Sequence, residues 1–190
     1  MAVEGAHGNT KGSVFVSRLK FLRERGGAVL VERVLDRLPP ADREVLRGIV
    51  LPASWYPFEL NERLDEAIVS CLEGGDELFR ELGRQSALHN LTTTHRNYIR
   101  NHDPHGLFRQ AASIYRVYYD TGSREYEKVG QTRAVLRTIG SKSFSRTDCL
   151  TVVGYHEQAI LMCGGHDPRV EEPRCRVRGD SACEYLLAWT

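Results

Sequence analysis

Four of the five cysteines fall between Cys149 and Trp189, and their spacing is what could do chemistry in this chain. Cys175 and Cys183 flank Gly179-Asp180-Ser181, a cluster of turn formers between two strand-like runs. Read as a hairpin with a three-residue loop of Arg178, Gly179 and Asp180, Val177 faces Ser181 and Cys175 faces Cys183. Directly opposed residues of an antiparallel pair have Cβ atoms about 4.5–5.5 Å apart. That separation suits two thiolates on one metal with Zn–S bonds of about 2.3 Å. It suits a disulfide less, because disulfide Cβ atoms sit about 3.8 Å apart. Tyr185, Leu187 and Trp189 then share the strand face of Cys183. Glu172 precedes Cys175 by three residues, and Pro173 breaks the alternation between them, which lets the carboxylate turn toward the thiols.

A third sulfur has to come from elsewhere. Ser145-Arg-Thr-Asp148 is a run of cap formers, which places Cys149 in the first turn of a helix. That helix runs to Cys163 and stops at Gly164-Gly165. Fourteen residues separate the two cysteines, about 21 Å along a continuous helix. One ion cannot take both, and geometry alone does not choose between them. The plain alternative needs no metal: free cysteine packs as a small hydrophobe, and Cys-x7-Cys is not a standard zinc-finger spacing.

The order Cys149, Gly154-Tyr155, Glu172-x-x-Cys175, then Gly179-Asp180-x-x-Cys183 and an aromatic strand resembles the 4-vinyl-reductase domain. That domain is the effector-sensing part of phenol- and xylene-responsive activators. Its fold is shared with haem-nitric-oxide sensors and TRAPP trafficking subunits. The resemblance implies a structural zinc held by Cys149, Glu172, Cys175 and Cys183, and so selects Cys149 over Cys163. It is specific over residues 145–189 and loose before them. The whole chain also resembles a paralogous family of similar length from myxobacteria, which joins a helical N-terminal half to this ending. A Cys3Glu site is coordinatively closed, so the expected role is structural.

The elements that must position these residues are legible in outline. Residues 1–12 are small and polar and are expected to be disordered. Residues 13–190 are expected to form a single domain, helical over 13–120 and sheet-forming over 121–190. Helices are expected over 13–25, ended by Gly26-Gly27, over 28–38, from Asp42 to Pro52, over 60–72, over 77–100 and over 105–119. Gly83, Ser86 and Ala87 give one of them a thin face on which another helix or a second copy can pack. A strand pair dividing at Gly130, a helix to Cys163 and the closing hairpin follow. The expected fold class is therefore α+β, a helical half followed by a ββαββ antiparallel sheet, as in the haem-NO-binding and TRAPP-like fold.

Twenty-six basic and 25 acidic residues leave a formal charge of +1, so nothing electrostatic favours nucleic acid. The start lacks the apolar region of a signal peptide, and no run reaches the length of a membrane span. An odd number of cysteines then points to a reducing, cytoplasmic setting. No nucleophile elbow, phosphate loop or dinucleotide fingerprint is present, so the chain reads as a non-enzyme. His95, His102 and His105 read as exposed loop histidines. Haem is set aside, because the resemblance to haem-nitric-oxide sensors would imply a Tyr-x-Ser-x-Arg signature that the chain lacks.

Two readings of function remain. One is a small-molecule sensor whose apolar or aromatic ligand meets Tyr115, Tyr118 and His156, with output through a protein partner. The other is a ligand-free module that homodimerises through its helices, as trafficking subunits do. The resemblance to phenol sensors implies a His and a Trp for the phenol hydroxyl upstream of the zinc cysteine. Residues 89–135 contain no Trp, so those roles have no positions here.

Overall fold

The computed structural model describes residues 7–190. Asn9–Lys11 (β1) pairs antiparallel with Trp55–Pro57 (β2). The expectation of a disordered start is therefore corrected for these residues, while residues 1–6 lie outside those described. The cause is local anchoring. Thr10 is buried and its hydroxyl donates to the Tyr118 carbonyl, and Asn9 Nδ2 donates to Asp120.

Gly12–Leu35 (α1) carries a break where the sequence expects one. Gly27 takes a φ of 67°, which glycine adopts without strain. Pro40–Arg47 (α2) and Phe58–Cys71 (α3) follow, each entered through a proline that cannot continue a preceding helix. Gly75–Thr92 (α4) ends earlier than the expected 77–100. Thr92 and Thr93 turn their hydroxyls onto the carbonyls of Leu88 and His89 and close the last turn. The expected helix over 105–119 is two, Pro104–Phe108 (α5) and Ala111–Tyr118 (α6).

Ser123–Gly130 (β3) and Arg133–Ile139 (β4) form the expected hairpin at Gly130. Arg146–Met162 (α7) follows, then Arg169–Arg174 (β5) and Ala182–Ala188 (β6). The sheet is antiparallel throughout with order β3-β4-β6-β5, so the ββαββ reading holds. Cys183, Tyr185, Leu187 and Trp189 all face inward under α7, as their parity requires.

α4 belongs to two cores. Leu78, Phe79 and Leu82 join Phe15, Leu22, Leu64 and Ile68 of α1 and α3. Ala87 and Leu91 join Leu107, Leu136, Ile160 and Tyr185 beside the sheet. The thin face of α4 is filled by α7. A Cβ on Gly83 would stand 2.0 Å from the Thr151 carbonyl oxygen, and one on Gly154 would stand 1.9 Å from that of Arg80. The two backbones touch there, so α7 and not a second copy fills this face. No helix among the described residues is long and apolar enough to cross a membrane.

Candidate metal centre and ligand cavity

Ser145 caps α7 by accepting from the Asp148 amide at 3.1 Å, which seats Cys149 in the first turn. Its Sγ lies 3.7 Å from Cys175 Sγ and 3.8 Å from Cys183 Sγ. Ligand atoms of Cys149, Glu172, Cys175 and Cys183 all lie within 4.8 Å of one another. Bonds of about 2.3 Å in a tetrahedron separate sulfurs by about 3.8 Å. The thiols thus sit at the edge length of a tetrahedral zinc site.

The hairpin is shaped to deliver them. Its ladder breaks between Glu171 and Arg174, across Pro173, and Glu172 turns inward there. The tip is a single 3-10 turn, Arg176–Arg178, closed by Gly179 at φ 93°, rather than the expected three-residue loop. Val177 is consequently exposed and does not face Ser181. Asp180 accepts from the Cys175 amide at 2.8 Å, and the Arg176 amide donates to Cys183 Sγ at 3.4 Å.

The electrostatics single out one thiolate among neighbours that hold their protons. The hydrogen bond from Cys149 draws the Cys175 thiol down to about 5, and the same bond pushes Cys149 up. Burial raises Glu172 to about 7, and its Oε1 is buried without a partner. Cys163 is fully buried at the other end of α7 and takes no part. Cys71 is partly exposed at the end of α3 and far from this cluster in sequence.

A partly open cavity of about 100 Å³ lies among α1, α4, α6, α7 and β3. Leu107, Phe108, Ala111, Ile114 and Val152 make its apolar wall. Tyr115, Tyr118 and His156 all line it. Tyr115 Oη stands 2.9 Å from both the Thr121 carbonyl and Ser141 Oγ, and Tyr118 Oη stands 2.9 Å from His95 Nε2. His156 differs, because its Nδ1 is buried and has no partner. Burial, aided by the charge of Arg124, holds this imidazole well below its usual range and keeps it neutral. The adjacent Tyr155 Oη is likewise buried and unpartnered.

Sequence reasoning missed the ionic part of the wall. Arg18, on the apolar stripe of α1 between Phe15 and Leu22, donates Nε and Nη2 to Asp65 at 2.6 and 3.0 Å. Asp148 accepts from Tyr119 Oη at 2.9 Å, and burial lifts its carboxyl to about 6. An arginine at a core position was the one available signal. The reading of His95 and His105 as exposed is also corrected. Both are buried, and His105 bonds Tyr126 Oη and the Gln131 carbonyl at 2.7 and 2.8 Å.

No family model matches the sequence, and no curated protein matches it. Solved structures do match the fold. An H-NOX protein from S. oneidensis in the Fe(II)NO ligation state is 12% identical, with a TM-score of 0.71 over 95% of this chain and 99% of that one. The Fe(II) unliganded H-NOX protein from K. algicida is 10% identical, with a TM-score of 0.70 over 95% and 96%. A third, solved in probing haem distortion in the H-NOX family, is 15% identical, with a TM-score of 0.68 over 95% of each chain. The chain has the haem-NO-binding fold.

This overturns the dismissal of haem. The fold is that of H-NOX domains, one of them solved in its Fe(II)NO state, and a missing three-residue signature does not outweigh that. The residues present fit a haem in one respect. His156 offers a neutral, unpartnered ring nitrogen, the donor that iron takes. The room is smaller than a porphyrin needs, about 100 Å³ against the roughly 300–1,000 Å³ of ordinary ligand pockets. Haem entry therefore requires the cavity to widen.

Proposed function

We propose that this chain is a small-molecule-sensing domain. The observation that carries the reading is the cavity, an apolar wall facing two buried polar side chains, His156 and Tyr155, that lack partners. Ligand pockets are mostly apolar with a few convergent polar groups, and a buried polar atom left unpaired costs about 1–3 kcal/mol. A small aromatic ligand with one polar group relieves that cost. Tyr115 and Tyr118 shape the site, and His156 meets the polar group.

In this reading a zinc held by Cys149, Glu172, Cys175 and Cys183 ties the β5–β6 hairpin to the start of α7. The same helix carries Tyr155 and His156 into the cavity, so the metal fixes the frame in which ligand is bound. The resemblance to 4-vinyl-reductase domains, carried by these four residues with Gly154-Tyr155, Gly179-Asp180 and the aromatic strand after Cys183, supports both assignments. Ligand binding shifts the packing of α7 beside the cavity, and a protein partner reads that shift.

A second reading has haem as the ligand, favoured by the fold and by His156. His156 would hold the iron, which would supply a site for a diatomic gas. Calorimetric titration with 4-methylphenol, and absorption titration with haem, test the proposal on zinc-loaded protein. Saturation by one of them at one per chain is expected. Failure of both, and of other single-ring aromatic ligands, to saturate would overturn it.

A further inference from the structure

The cavity holds two guanidinium groups in different states. Arg18 is committed to Asp65 through two hydrogen bonds. Arg124, on β3, has only the Thr138 hydroxyl, which accepts from its Nε at 3.1 Å and its Nη2 at 3.0 Å. No ion pair joins Arg124 to an aspartate or glutamate among the described residues. The guanidinium lies 5.1 Å from the Tyr115 ring centroid and 5.6 Å from that of Tyr185, so aromatic faces hold it in place. It is half-buried at the cavity wall, where its charge reaches both Tyr155 and His156.

An arginine fork fixed beside an apolar pocket matches a planar carboxylate, which it can bind through two parallel hydrogen bonds. The volume limits the rest of the molecule. The cavity measures about 100 Å³, and an engineered cavity of about 150 Å³ takes benzene. The cavity here is smaller than that, so a single ring is the largest group it takes, seated partly in the opening with its charged group outward.

We propose that the ligand is a monocyclic aromatic carboxylate, its ring against Phe108 and Ile114 and its carboxylate on Arg124. This rests on the sensing reading and names the class of molecule sensed. His156 and Tyr155 then serve a ring substituent or the second carboxylate oxygen.

The test is calorimetric titration of the zinc-loaded protein with 4-methylbenzoate and with its neutral isostere, 4-methylbenzamide, beside the haem titration. The benzoate is expected to bind at least tenfold more tightly than the amide. Arg124→Gln should bring the benzoate to the level of the amide without moving Tm, and Arg124→Lys should keep part of the preference. A benzamide that binds as well as the benzoate overturns the carboxylate class and leaves the sensing reading standing. So does stoichiometric haem binding with no benzoate binding. A benzoate preference that survives Arg124→Gln overturns the role of Arg124. Binding of none of the three overturns both.

Discussion

Cys149 Sγ, on the first turn of α7, lies 3.8 Å from Cys183 Sγ, on β6, across 34 residues of chain. A helix start and a sheet strand meet there through sulfur alone. A zinc bound there would turn metal affinity into folding free energy, because its thiolate bonds would form only in the folded arrangement. Cys149→Ser, Cys175→Ser and Cys183→Ser should each abolish zinc in elemental analysis and lower Tm. Cys71→Ser and Cys163→Ser should retain one zinc per chain. Equal retention in all five variants would contradict the site.

The backbone contact of α4 and α7 sets the position of His156. Gly154→Ala places a methyl 1.9 Å from the Arg80 carbonyl oxygen, and Gly83→Ala places one 2.0 Å from that of Thr151. Each should destabilise by at least the roughly 1–3 kcal/mol of an overpacked core, measured by urea unfolding. Wild-type stability in either variant would show that the helices are not in contact.

The fold was legible in the sequence where residues repeat a simple rule. Turn formers at Gly130 and Gly179, the cap at Ser145 and the parity of Cys183, Tyr185, Leu187 and Trp189 gave the ββαββ order, whereas spacing left Cys149 and Cys163 open and only the resemblance selected Cys149, Glu172, Cys175 and Cys183. Helix ends were less legible, because Thr92 and Thr93 end α4 by bonding its carbonyls, which composition does not show. The cavity was legible only in part. Tyr115, Tyr118 and His156 were found by type, but Arg18, Asp148 and Arg124 carry their meaning in their partners. Those partners are 47 residues away for Arg18, 29 for Asp148 and 14 for Arg124.

Arg18 and Asp65 form a buried pair, further held by the Thr147 hydroxyl on Asp65 at 2.8 Å. Removing one partner strands the other charge, which costs about 3–5 kcal/mol. Asp65→Asn and Arg18→Met should each show that loss in urea unfolding, and the double variant should lose less than the sum. Additive losses would contradict a direct pair.

Burial, with the charge of Arg124, keeps the His156 pKa well below its usual range, and burial lowers that of His95. Below about pH 6.5 the unfolded imidazoles take protons that the folded ones refuse. Stability should therefore fall as pH drops below that point, by at most about 1.4 kcal/mol per pH unit for each histidine. His156→Gln should flatten the slope between pH 6 and 5 in urea melts. An unchanged slope would mean that His156 is not held neutral.

The central claim is that a small molecule occupies the cavity, and the crystal structure of the protein grown with 4-methylphenol tests it most directly. The account predicts density for one ring against Phe108 and Ile114, with its hydroxyl within hydrogen-bond reach of His156 or Tyr155. A cavity filled by its own side chains both in these crystals and in crystals grown with 4-methylbenzoate would contradict it.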